Sequence, residues 1–327
     1  MMKTINKITG IVLISFSFLV SEFLYTSIAE TGKRPEVDSI LKNTIMYPWK
    51  IPDESAMPQG MEGEYIKYGK QLIIETYKYL GPEVKDLKRR FAGNNLSCNN
   101  CHLDAGTKPF AAGYIGIYGR FPQYRTREDS IVTLENRIND CFERSLNGKG
   151  LPFDSKEMKS IIMYMKWLSS EIPVGAKVDG QGLLKIPLLS RAASPKFGKK
   201  VFMEKCISCH GIKGQGIRKG KVGNAEGYFF PPLWGKDSFN NGAGMHRLIT
   251  AASFIKANMP LDNANLSSEQ AFDVASYINS QERPEKPGLE KDFPVLGTKP
   301  VDAPYPPFND VFTLEQHKYG PFQPMMK

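Results

Sequence analysis

The sequence predicts an all-α fold built from two tandem halves, and three observations carry that prediction. The pentapeptide Cys-x-x-Cys-His occurs twice, as Cys98-Asn99-Asn100-Cys101-His102 and as Cys206-Ile207-Ser208-Cys209-His210. Apolar residues at helical spacing precede each copy and recur in a closing segment after it, while strand-like alternation is sparse. Pro- and Gly-rich stretches lie between the halves and after the second.

Each pentapeptide offers two thiols that can add across the vinyl groups of a haem, followed at once by an imidazole for the iron. A pair of zinc knuckles or a redox dithiol would use the cysteines equally well, but neither explains a histidine directly after each second cysteine. Two covalently attached c-type haems are therefore expected, held by Cys98, Cys101 and His102 and by Cys206, Cys209 and His210. The halves then read as two tandem cytochrome c domains with long loops and a Pro-rich C-terminal strap. In small domains of that kind the first helix packs against the last beside the porphyrin, which points to an internal duplication.

The elements follow in order. Lys3 and Lys7 precede an apolar run from Ile11 to Val20, and Ser27-Ile28-Ala29 offers small residues for cleavage before Glu30. Residues 1–29 are read as a signal peptide, with an uncleaved anchor as the alternative and the sole route to a membrane. No cysteine precedes Cys98, which argues against a lipid-modified N-terminus. Export and haem attachment together point to a bacterial periplasm. Residues 30–60 are read as an N-terminal wrap, 61–172 as the first domain, 173–194 as a linker, 195–282 as the second domain and 283–327 as the strap. Helices are expected over 62–80, 130–146, 155–170, 195–206, 245–257 and 267–280. Met158, Met163, Met165 and Trp167 read as packing of a closing helix rather than as ligands.

A proximal histidine leaves one axial position on each iron, and its occupant largely sets potential and reactivity. For the second iron, Met259 is the candidate: Asn258-Met259-Pro260 follows a helical run, and Pro260 biases Met259 toward an extended conformation. Met245, His246 and Lys256 compete. The first half has no comparable Met-Pro, but it has Cys141, the fifth and unpaired cysteine. From spacing alone a buried structural thiol and an iron ligand are equally compatible with it. Arg125, Arg127, Arg137 and Arg144 surround it in sequence, and guanidinium groups stabilise a thiolate and bind oxyanions through their planar fork. A solvated helix face paired with Glu128, Asp129, Glu135 and Glu143 is the simpler explanation of the same arginines.

The chain carries 43 basic and 34 acidic residues, a net charge of +9. Loss of residues 1–29 and addition of four haem propionates would leave about +4. No nucleic-acid motif accompanies this excess, so small anions or an acidic redox partner are the expected counterparts. Lys196, Lys199, Lys200, Lys205, Lys213, Arg218, Lys219 and Lys221 crowd the second haem motif and suggest a docking surface for a periplasmic electron carrier such as a small cytochrome c.

Four strings resemble a known family: Phe121-Pro122-Gln123-Tyr124-Arg125, Arg137 to Ser145 around Cys141, Phe254 to Pro260, and Gln316 to Phe322. They are similar to those of the dihaem thiosulfate dehydrogenases, and the resemblance runs from about Trp49 to the C-terminus. It implies interconversion of two thiosulfates and one tetrathionate with two electrons. It also implies a His102/Cys141-ligated active-site haem and a His210/Met259-ligated electron-transfer haem. Some members carry Lys directly before the Met as an alternative ligand; Asn258 stands there in this chain, so permanent Met259 ligation is expected. Arg127, Arg137 and Arg125 would offset the repulsion between two dianions, and Cys141 would form a transient S-thiosulfonate adduct after leaving the iron. Tetrathionate reduction is as compatible as thiosulfate oxidation. A dihaem electron carrier without substrate chemistry, a dihaem peroxidase and a sulfur-carrier cytochrome are the competing classes.

Overall fold

The computed structural model describes residues 46–326. The leader expected over 1–29, and the wrap as far as residue 45, lie outside the described residues. No helix among the described residues is long and apolar enough to cross a membrane. In the first half the principal helices are α1 (Gly60–Ile74), α2 (Thr76–Leu80), α3 (Leu134–Arg144) and α4 (Lys156–Leu168). The second half contributes α5 (Pro195–Lys205), α6 (Leu248–Asn258) and α7 (Ser268–Asn279), and α8 (Leu314–Tyr319) lies near the C-terminus.

Local sequence sets these boundaries. Ser155, Ser194 and Ser267 cap α4, α5 and α7 by accepting hydrogen bonds from Met158 N, Phe197 N and Gln270 N. Pro195 occupies the first turn of α5, where a missing N–H costs nothing. One helix was expected across 62–80, but the chain breaks at Glu75. The break turns the Thr76 hydroxyl toward the first haem motif, where it accepts from Cys98 N at 3.1 Å.

The same crossing is built twice. α1 packs against α4 and α5 against α7. A Cβ at Gly69 would land on Ser160 O, and one at Gly198 on Asp273 O. The next obstacle is Tyr164 Cβ in one half and Tyr277 Cβ in the other, each four residues beyond the carbonyl. Glycine at both positions lets backbone touch backbone, and a tyrosine one turn on covers the crossing. Two separate cores result, one containing Ile66, Phe142, Ile161 and Tyr164, the other Phe202, Ala252, Phe272 and Ala275. The duplication suggested by the paired motifs is thus visible in the helix packing.

The all-α expectation needs correction. Three two-stranded ladders accompany the helices: β1 (Met46–Tyr47) pairs in parallel with β4 (Lys177–Val178), while β2 (Gln123–Arg125) with β3 (Ser130–Val132) and β5 (Ile217–Arg218) with β6 (Tyr228–Phe230) are antiparallel. The helix expected from residue 130 starts only at Leu134. Thr133 and Asn136 form a capping box there, and the β-branched residues Ile131 and Val132 belong to the ladder instead. Likewise the run expected from Met245 begins at Leu248, after a 3₁₀ turn over Gly244–His246.

The two irregular stretches are packed. In the 173–194 segment Val178 is fully buried in the first core, and the carbonyls of Gly180 and Gly182 accept from Phe110 N and Ala112 N, both at 2.7 Å. After α7 the chain returns to the first half, where Arg127 O accepts from Phe293 N at 2.8 Å. It then recrosses the second half, where Arg247 donates to buried Asp302 at 2.8 Å, and places Phe322 and Met325 in the second core. Asn94 and Asn258 join the halves directly, donating to Ser238 O at 3.0 Å and Phe110 O at 3.2 Å.

Candidate active site

Both Cys-x-x-Cys-His motifs fold as tight turns that present their histidine the same way. His102 Nδ1 lies 2.7 Å from Ala112 O, and His210 Nδ1 lies 2.8 Å from Pro231 O. A carbonyl can only accept, so Nδ1 carries the proton in each ring and Nε2 keeps a free lone pair for a metal. Burial pushes His102 down to about 4 and lowers His210 as well, keeping both imidazoles neutral. Tyr114 packs on the His102 ring at 4.7 Å between centroids and fixes its plane.

Each motif opens onto its own cavity. The first, of about 280 Å³, is lined by Cys98, Cys101 and His102, with Ile73, Leu134 and Phe142 among its apolar walls. The second, of about 230 Å³, is lined by Cys206, Cys209 and His210 with Phe230, Phe254 and Ile255. None of these cysteines is in a disulfide. Two thiols, one neutral imidazole with its free nitrogen and an apolar enclosure suit a covalently attached haem in each cavity. Leu96, Cys101, Phe239 and Met245 line both cavities, so one layer of side chains separates them.

Cys141 lines the first cavity together with His102. It sits on α3 one turn beyond Arg137, and residues four apart share a helix face. Arg137 Nη1 donates to Cys141 Sγ at 2.9 Å and also reaches Asp140 at 3.2 Å. The interaction with Cys141 holds the Arg137 guanidinium above its ordinary range despite burial. Arg125 lines the same cavity, held by Glu128 at 3.2 Å on the β2–β3 hairpin.

The other two arginines expected near Cys141 stand elsewhere. Arg127 lies outside the cavity lining: it donates to Gly242 O at 3.1 Å and stacks on Phe293 at 5.6 Å. Arg144 is buried and forks onto Asp292 at 2.8 and 2.7 Å while also bonding Asp140. Burial would raise the Asp140 carboxyl, but Arg144, Arg137 and Arg127 together hold it below the ordinary value. Asp140 therefore ties Arg137, and through it Cys141, to the Arg144–Asp292 pair and to Tyr305, whose hydroxyl donates to Asp292 at 2.9 Å. Sequence reasoning missed Asp140 and Asp292. The spacing of Asp140, three residues after Arg137 and four before Arg144, was the available signal for the first; Asp292 had none. It also gave no role to Arg120, which lies in no motif, or to Gln123, which lies within the Phe121–Arg125 string; both line the first cavity.

In the second cavity Met259 and Met245 both contribute to the lining, whereas His246 and Lys256 do not. Met259 follows the end of α6 with φ −124° and ψ 144°, the extended conformation expected before Pro260. Buried Asn258 donates to Phe254 O at 3.0 Å as well as to Phe110 O, so its amide is committed to the backbone.

Two cysteine-histidine cavities in a duplicated helical frame define a dihaem c-type cytochrome. Residues 86–174 match the family model described as SoxA/TsdA, cytochrome c domain, and residues 196–282 match the one described as Cytochrome c. The thiosulfate dehydrogenase of Allochromatium vinosum is 43% identical over 242 residues, covering 72% of this chain and 84% of that protein. That of Stutzerimonas stutzeri is 39% identical over 239 residues, covering 73% and 74%. A solved structure of thiosulfate dehydrogenase (TsdBA) from Marichromatium purpuratum, in its as-isolated form, is similar with a TM-score of 0.67 and 32% identity. That likeness covers 76% of this chain and 52% of the other, so the chain spans about half the length of that relative. The chain belongs to the thiosulfate dehydrogenase family. It is an enzyme, a thiosulfate oxidoreductase with two covalently bound c-type haems.

Proposed function

We propose that the protein interconverts two thiosulfates and one tetrathionate in the periplasm, with Cys141 as the reacting sulfur and the second haem as the electron outlet. The observation that carries this reading is Cys141 Sγ in the first cavity with Arg137 Nη1 2.9 Å away. The haems, when bound, accept or supply electrons one at a time. The chain's own residues do the sulfur chemistry. The Cys141 thiolate and the outer sulfur of one thiosulfate join with loss of two electrons, leaving Cys141 as an S-thiosulfonate. A second thiosulfate then attacks the sulfur bound to Cys141, forming the central bond of tetrathionate and returning the thiolate. Arg137 stabilises the thiolate, and Arg137 and Arg125 draw the two dianions together.

Every step is reversible, so the same residues serve tetrathionate reduction. His210 with Met259 supports an electron-transfer role for the second haem, because a thioether stabilises ferrous iron and raises its potential. A carrier without substrate chemistry would have no use for a thiolate beside a guanidinium in its first cavity. Protein-film voltammetry with each anion tests the proposal. Catalytic current is expected for thiosulfate oxidation and for tetrathionate reduction, and no current with either would end it. Periplasmic residence is supported by the leader expected from the sequence over residues 1–29 and by covalent haem attachment; retention in spheroplasts would contradict it.

Lys196, Lys199, Lys200, Lys205, Lys213, Lys219 and Lys221, which flank the second haem motif in sequence, are exposed, as are Phe197, Ile212 and Phe229 in the same stretch, and Lys205 and Phe229 line the second cavity. Exposed lysines with exposed apolar side chains in the same stretch of chain fit an acidic periplasmic electron carrier. Electron exchange with such a carrier is expected to slow steeply as ionic strength rises, measured by stopped flow. A rate indifferent to salt would remove this surface from consideration.

A further inference from the structure

Arg120 is a half-buried cation that no carboxylate pairs among the described residues. It ends a 3₁₀ turn over Tyr118–Arg120 and lines the first cavity. Its Nε is buried with no hydrogen-bond partner among the described residues, and no carboxylate pairs with it there. The other two arginines of the cavity are provided for, Arg125 by Glu128 and Arg137 by Asp140 and Cys141. The deeply buried Arg144 has two acids. Burial accordingly lowers Arg120 from the ordinary arginine range.

Withdrawing part of a guanidinium from water without an anion is unfavourable, so the fold suits an anion arriving from the cavity side. Two anions can enter this cavity: substrate, which comes and goes, and the carboxylates carried by the haem itself, which stay once the thioethers have formed. A cation fixed in the cavity wall with its Nε out of solvent, whether or not substrate is present, calls for the permanent partner. We propose that Arg120 binds a propionate of the first haem, its planar fork matching the carboxylate, and so fixes the edge of the porphyrin remote from Cys98 and Cys101. Arg137 and Arg125 then remain for substrate.

The pairing predicts an electrochemical signature that a substrate-binding arginine would not give. A positive neighbour favours the reduced haem, which carries one charge less. Redox titration of the holoenzyme followed by optical spectroscopy, together with steady-state thiosulfate kinetics, on Arg120→Gln and Arg120→Lys makes the test. Arg120→Gln is expected to lower the midpoint potential of the first haem while KM for thiosulfate stays within about twofold. Arg120→Lys keeps the charge and loses the fork, and is expected to give a smaller shift of the same sign. It carries the test alone if the glutamine variant fails to mature. A raised KM with an unmoved potential would assign Arg120 to substrate and overturn the proposal, as would a variant that moves neither quantity.

Discussion

Replacing Cys141 by alanine or serine is expected to leave both haems covalently attached and to lower thiosulfate turnover by at least about 10³-fold. Attachment is expected to depend on Cys98, Cys101, Cys206 and Cys209, none of which lies on α3. The loss follows from what sulfur does at that position. A thiolate beside Arg137 can form and break a sulfur–sulfur bond, whereas a serine hydroxyl stays protonated and has no such exchange to offer. Haem content measured on the denatured variant and turnover measured on the native one separate the two effects. Wild-type turnover in either variant would show that Cys141 is not the reacting group.

Asp292→Ala is expected to destabilise the protein by about 3–5 kcal/mol, the usual penalty for breaking a buried ion pair from one side. Arg144 and Asp292 are each 8% exposed in their side chains, and the fork between them has two good hydrogen bonds. Losing the carboxylate leaves the guanidinium with Asp140 and Gly242 O alone. Asp140 would then be drawn toward Arg144 and away from Arg137, so turnover should fall by about 10- to 100-fold through misplacement of the Arg137–Cys141 contact. A double-mutant cycle with Arg144→Met isolates the pair: in that background Asp292→Ala should cost much less. If the aspartate change costs as much without Arg144 as with it, the ion pair is not what Asp292 contributes.

The chemistry of attachment was legible because it is local: five consecutive residues carry the thiols and the imidazole. The extended conformation of Met259 was legible for a similar reason, since Pro260 constrains its neighbour whatever the rest of the chain does. The helix at Cys141 was placed correctly, but its start was not. Residues 130–132 pair with 123–125 across a short hairpin, and ladders of two or three residues are too brief to show a period. Arginine roles were the least legible. Arg125, Arg127, Arg137 and Arg144 look alike in sequence, yet two line the cavity, one stacks on Phe293 and one is locked to Asp292. What separates them is the path of the C-terminal stretch, which brings Asp292 back to Arg144 at the end of α3 and Phe293 back to Arg127. Arg120 was invisible because its distinction is the absence of a partner, which only packing reveals.

The single wall between the two cavities limits how this chain could have been assembled and how it can be rebuilt. Phe239 and Met245 belong by sequence to the second half, yet they enclose the first cavity; Leu96 and Cys101 belong to the first and enclose the second. Grafting a foreign partner onto either half would therefore breach the cavity that was kept. Because the repeats share a partition, any side chain placed at Phe239 must satisfy two occupants at once.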